Sequence, residues 1–131
     1  MYYIDSNTYI YFDKNASQAL TAKLLSINPA NMKIPSIVAA ELRFGVEKSK
    51  RRDYNSDRLE RFLSLYEIIS FDDDATKCYA NIRAVLERSG QIIGANDLII
   101  AATVLSNSGT LVTRYVDEFS RVAKLKLENW F

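Results

Sequence analysis

Short runs rich in β-branched and aromatic residues alternate with longer stretches of helical periodicity along the whole chain. This alternation limits the available folds more than any other feature. "YYI" from residue 2, "MKIP" from 32, "EIISF" from 67, "TLVT" from 110 and "LKLENW" from 125 read as strands. The intervening "ASQALTAKLLSI", "SIVAAELRFGVEKSK", "DRLERFLSLY", "DDDATKCYANIRAVLERSG" and "GANDLIIAATVLSNSG" read as helices. Strands joined by helices pair in parallel through right-handed crossovers, so the pattern predicts an α/β fold with its sheet covered on both faces. Asn7, Ser36 and either Asn96 or Asp97 are candidate N-caps, Gly90 and Gly109 candidate stops, and Lys48 to Arg52 a basic turn.

In such sheets a site forms beyond the carboxyl ends of the strands, where the strand order reverses. Asp5 closes the first expected strand, and the residues after Thr113 follow the fourth. The rest of the sequence narrows the chemistry. There is no histidine, which excludes His-dependent bases and imidazole metal ligands. One cysteine, Cys78, permits no internal disulfide, cannot fill zinc's usual shell, and reads as a core residue in a reducing compartment. A net charge of +1 points to no bulk attraction for nucleic acid. No apolar run approaches the ~20 residues of a membrane span and the N-terminus lacks a leader pattern, so a cytoplasmic protein of one domain is expected from 131 residues.

Three acids stand out of place. Asp5 ends a strand. Glu41 has Ile37, Val38, Phe44 and Gly45 as helical neighbours, so its carboxylate leaves an apolar face that Arg43, two residues on, does not share. Asp97 opens the apolar run "LIIAATVL". Each has a plain explanation: a turn residue, a salt bridge, a first-turn acid favoured by the helix dipole. If they converge, two carboxylates ~4 Å apart repel by roughly 4 kcal/mol at an effective dielectric near 20. They must then hold protons or share a cation. An all-oxygen site suits Mg²⁺ or Mn²⁺, and the chemistry it supports is phosphodiester hydrolysis. A basic rim of Lys48, Lys50, Arg51, Arg52 and Arg114 would offset the repulsion of RNA, unless "KSKRR" is only a solvated helix end.

The motifs "YYIDSN", "IPSIVAAELRFGVEKS", "GANDLIIAATVLSNSGTLVT" and "DEFSRVAKLKLENW", in this order and spacing, resemble the PIN-domain ribonuclease toxins of VapBC toxin–antitoxin systems, the VapC family. The resemblance covers essentially the whole chain. It implies a single PIN domain over residues 1–131, a three-layer α/β/α sandwich with a mostly parallel sheet of four or five strands. It also implies a metal-dependent endoribonuclease acting on RNA, with tRNA the expected substrate. Asp5, Glu41 and Asp97 would hold Mg²⁺ or Mn²⁺, Glu118 of the "-EF" pair would complete the catalytic set ahead of Asp117, and Asn7 and Thr113 would orient the substrate. Implied partners are a cognate VapB-like antitoxin, whose tail sends Arg or Lys into the acidic pocket, and a second copy in a homodimer. Tyr9, Tyr11 and Phe12 could serve such surfaces or the core. Ser6 stands where the family usually has threonine. Tyr115 stands where it generally carries Asn or Asp, and a phenol does not replace a carboxylate on a hard metal at neutral pH. That change leaves open a catalytically weakened module that binds RNA or antitoxin. A structure-specific DNA nuclease on a related fold is a third reading, disfavoured by the short chain.

Overall fold

The computed structural model describes residues 1–131. In chain order its elements are β1 (Tyr2–Ile4), α1 (Ser6–Asp13), α2 (Gln18–Ser26), β2 (Met32–Pro35), α3 (Ser36–Glu47), α4 (Arg52–Leu63), β3 (Glu67–Ile69), α5 (Asp73–Ser89), α6 (Ala95–Ser106), β4 (Thr110–Val112), α7 (Val116–Phe119) and β5 (Lys126–Glu128). A 3₁₀ turn, Pro29–Asn31, precedes β2. All five strands pair in parallel, in the order β3-β2-β1-β4-β5. The alternation read from the sequence is therefore realised as a fully parallel sheet flanked by helices.

The strand order positions the site. From β1 the chain steps outward through β2 to β3, then crosses back to β4 on the other side of β1. Right-handed crossovers in opposite directions place their helices on opposite faces, so the chain reverses its winding between β1 and β4. Ile4 pairs with Val112 there, which brings the next residues, Asp5 and Thr113, side by side at the carboxyl ends.

Burial follows from this layering. Ile4, Ile34, Leu111 and Val112 are fully buried in the sheet. In α6, Leu98, Ile100, Ala101, Ala102, Thr103 and Val104 are all buried, which accounts for its nearly continuous apolar sequence. Thr103 satisfies its hydroxyl within the helix by donating to the Ile99 carbonyl at 2.8 Å. Tyr9 lies in the core against Phe62, Phe12 also faces Phe62, and Tyr11 packs edge-on to Phe131. Of the three, Tyr9 is thus settled as core. Cys78 is a free thiol, partly buried against the core. No helix is long and apolar enough to cross a membrane.

Several expected boundaries shift. The N-cap of α1 is Asp5 rather than Asn7. Ser36 is the first residue of α3, not its cap, and its hydroxyl accepts from the Phe71 N–H at 3.3 Å. Gly94 caps α6, leaving Asn96 and Asp97 inside its first turn. Helix α4 begins at Arg52, within the expected basic turn. Gly90 does end α5 in the left-handed conformation, φ 68°. Gly109 lies beyond the end of α6, where a Cβ would overlap the Tyr3 ring. It is a close-approach glycine, and Ser108 before it takes the positive φ, 53°.

Candidate active site

Capping geometry builds the first part of the site. The Asp5 side chain caps α1 by accepting from the Thr8 N–H at 2.9 Å, and the Thr8 hydroxyl lies 2.7 Å from the same oxygen. The other oxygen accepts from the Thr113 hydroxyl at 2.6 Å. Asp5 is only 4% exposed. Burial pushes its pKa up, the hydrogen bonds from Thr113 and Thr8 pull it back, and Glu41 adds a small upward push. Thr113 is itself 0% exposed. The expected substrate-orienting residue thus meets the Asp5 carboxylate through its hydroxyl, from a position closed to solvent.

Glu41 reaches the same place from the face of α3. Ser6 Oγ donates to its Oε1 at 2.7 Å and Asn96 Nδ2 to its Oε2 at 3.1 Å. Arg43 is bound instead to Glu60 at 2.9 Å. The salt-bridge explanation of Glu41 is thereby removed.

Asp97 enters from the first turn of α6, and Glu118 from α7 accepts from the Gly94 N–H at 3.2 Å. Both acids thus face the positive end of the α6 dipole. Burial first, then the charge of Glu118 and a hydrogen bond with it, raise the Asp97 pKa to about 7. Asp5 and Glu41 add smaller repulsions.

Asp5, Glu41, Asp97 and Glu118 therefore line one cavity of about 260 Å³, with Ser6, Asn7 and Tyr115 among its other walls. The chain's ion pairs lie elsewhere, so none of these acids is neutralised by Lys or Arg. An oxygen-only donor set with one carboxyl held near neutral pH suits a hard divalent cation. No three of the acids stand in a ready-made coordination group. Asp5, Glu41 and Glu118 instead each accept hydrogen bonds from protein donors.

The expected basic rim divides. Arg114, beside the cavity wall, donates to the Tyr11 hydroxyl at 2.6 Å. Lys48 lies over the Phe44 ring, 5.0 Å from its centroid, and lines a larger groove of about 660 Å³ that shares Ser6, Asn7 and Glu41 with the acid cavity. Lys50 and Arg51 are exposed outside both cavities, with Arg51 stacked over Tyr54. Arg52 is paired with Glu47 at 2.9 Å on the exposed surface.

Sequence reasoning singled out none of Thr8, Asn96 and Gly94 as partners of the acids. Thr8 was discoverable: Asp5-Ser6-Asn7-Thr8 has an Asp three residues before a residue whose N–H needs a cap. Asn96 carries no such local signal, because its partner Glu41 is 55 residues away.

Comparison with known proteins bears on the family of the chain. The PIN domain family matches residues 2–125. A protein named Ribonuclease VapC2 from Rickettsia felis is 40% identical over 131 residues, 99% of this chain and 98% of that one. A tRNA(fMet)-specific endonuclease VapC from Salmonella typhimurium is 33% identical over 127 residues, 97% of this chain and 96% of that one. The crystal structure of VapBC2 from Rickettsia felis bound to a promoter DNA fragment superposes with a TM-score of 0.93 at 38% identity, covering 99% of this chain and 98% of that chain. With the fold and near-full-length similarity in agreement, the chain belongs to the PIN-domain family and, within it, to the VapC ribonuclease toxins.

Proposed function

We propose that this toxin cuts RNA phosphodiester bonds at the acid cavity, with Mg²⁺ or Mn²⁺ held by Asp5, Asp97 and Glu41 and the set completed by Glu118. The observation that carries the proposal is that four acids, from the cap of α1 and from α3, α6 and α7, share one cavity without a basic partner. When bound, a divalent ion supplies charge neutralisation of the phosphate and a more acidic attacking water. The chain's own residues do the rest. Thr8 and Thr113 fix both oxygens of Asp5. Ser6 and Asn96 fix Glu41, whose carboxylate takes a proton from the water as the water oxygen bonds to phosphorus, while the scissile P–O bond breaks, its electron pair leaves with the ribose oxygen, and that oxygen takes a proton from solvent. Asp97, buried beside Glu118, keeps its proton up to about pH 7, and loss of that proton turns its carboxyl into an oxygen ligand. Asn7, on the wall of both cavities, orients the substrate.

The name of the Salmonella typhimurium relative supports tRNA as the substrate. The VapBC complex of Rickettsia felis supports an antitoxin partner. The groove contiguous with the acid cavity, with Ile10, Phe44 and Leu59 on its walls, suits an apolar antitoxin segment that carries a cation to the acids. A homodimer and a cytoplasmic location, which a single free cysteine suits, complete the proposal.

Purified protein is expected to cleave RNA with Mg²⁺ or Mn²⁺ and to stop when EDTA is added. Asp5→Ala is expected to abolish cleavage and, by removing a helix cap, to lower stability by about 1–2 kcal/mol. Full cleavage by a folded Asp5→Ala protein would refute the assignment. The absence of a ready-made ligand group, with Tyr115 on the cavity wall, favours a second reading as a binding module with weakened catalysis. Calorimetric titration with Mn²⁺ separates the two: clear binding that Asp97→Asn weakens supports the nuclease.

A further inference from the structure

We propose that Tyr115 is a substrate-positioning residue whose ring stacks on a nucleobase beside the scissile phosphate. The inference rests on the proposed cleavage of RNA at the acid cavity. Tyr115 lines that cavity together with all four acids, yet remains 44% exposed. Every other tyrosine is already engaged. Tyr2, Tyr9, Tyr11, Tyr66 and Tyr79 pack against a second aromatic ring. Tyr3 is buried, and Tyr54 lies beneath the guanidinium groups of Arg51 and Arg58.

The ring is free, but its attachment is not. The Tyr115 N–H donates to Thr113 Oγ1 at 3.0 Å, and that hydroxyl donates to Asp5 at 2.6 Å. The Tyr115 carbonyl accepts from the Phe119 N–H at 3.2 Å. The aromatic is thus held in register with the most buried acid of the site. Tyr115 also occupies the N-cap position of α7 and makes no side-chain cap, where Asn or Asp is the favoured residue type.

The electrostatics explain what an aromatic contributes here. A lysine or arginine at this wall would be captured by Asp97 and Glu118, whereas a π-face binds any base without being neutralised. The neighbouring Arg114 is exposed and bonded to a phenol, Tyr11, so its remaining N–H groups can meet the adjoining phosphate.

The test uses a short single-stranded RNA containing the mapped cleavage site, intact or with an abasic residue on either side of the cut bond. Cleavage kinetics are read with metal, and fluorescence anisotropy of the uncut RNA is read in EDTA. Tyr115→Ala is expected to raise KM about tenfold with kcat within about threefold of wild type, and Tyr115→Phe to behave as wild type. Tyr115→Asn is expected to melt at or above the wild-type temperature, through a restored cap, and still to raise KM. One of the abasic substitutions should weaken wild-type KM and anisotropy affinity about tenfold and cost Tyr115→Ala nothing further. Equal abasic penalties in both proteins, or an unchanged KM in Tyr115→Ala and Tyr115→Asn, would overturn the stacking role while leaving the nuclease reading intact. Wild-type protein that neither binds nor cuts RNA overturns both.

Discussion

Asp97 shows how a single side chain couples the site to the stability of the fold. Its carboxyl is raised from the usual carboxylate range to about 7 by burial and by Glu118. The folded chain therefore keeps a proton that the unfolded chain releases near pH 4. Native protein binds more protons between about pH 4 and 7, so this group lowers stability as pH rises through that window. Asp97→Asn is expected to stabilise metal-free protein by about 1 kcal/mol at pH 8, after discounting for a half-exposed group, with the gain gone by pH 4. Urea denaturation in EDTA at the two pH values checks this. Asp97 stood out in the sequence because it opens an apolar helix, although the helix dipole also favours an acid there, and Glu41 because it interrupts an apolar face. The hydroxyl and amide donors Ser6, Thr8, Thr113 and Asn96 gave no comparable signal as partners. Polar residues near helix ends are ordinary, and only the tertiary contacts reveal which carboxylate each one serves.

At the level of elements, the types were readable and the ends were not. Strand and helix periods differ enough to separate "TLVT" from "LIIAATVL". A boundary, by contrast, depends on which side chain reaches which backbone group. Asp5, a strand terminus in the sequence, is also the cap of α1, and Gly94 displaces both expected caps of α6. Gly109 is the sharper case: a stop residue by its position in the sequence, it is a spacer by its contacts, because β1 and β4 pair so that Tyr3 lies against it. Gly109→Ala is expected to lose about 1–3 kcal/mol from overpacking against the Tyr3 ring. If Gly109 were only a helix stop, the loss would be smaller. The denaturant midpoint distinguishes the two.

At the scale of the molecule, the acid cavity is a product of topology. Its four carboxylates come from residues 5, 41, 97 and 118, and the reversal of winding between β1 and β4 collects them. A cation shared by these groups stabilises the folded form, because the unfolded chain cannot hold it with the same set. Mn²⁺ at about 100 times its dissociation constant should add roughly 2.7 kcal/mol. The increment should grow as pH rises through about 7, since Asp97 must first give up its proton. Thermal melts with and without Mn²⁺ at pH 6 and pH 8 test this, and an equal increment at both would count against Asp97 as a ligand. The sequence by itself determined the alternation of elements, the exclusion of histidine and zinc chemistry, and the presence of three conspicuous acids, of which Glu41 leaves an apolar helix face. Those properties are local, set by residue type and periodicity. Only the tertiary structure decided that Thr113 donates to Asp5, that Arg52 pairs with Glu47, and that Tyr115 stands on the cavity wall. Distance across the fold, which no local pattern encodes, sets which charge meets which donor.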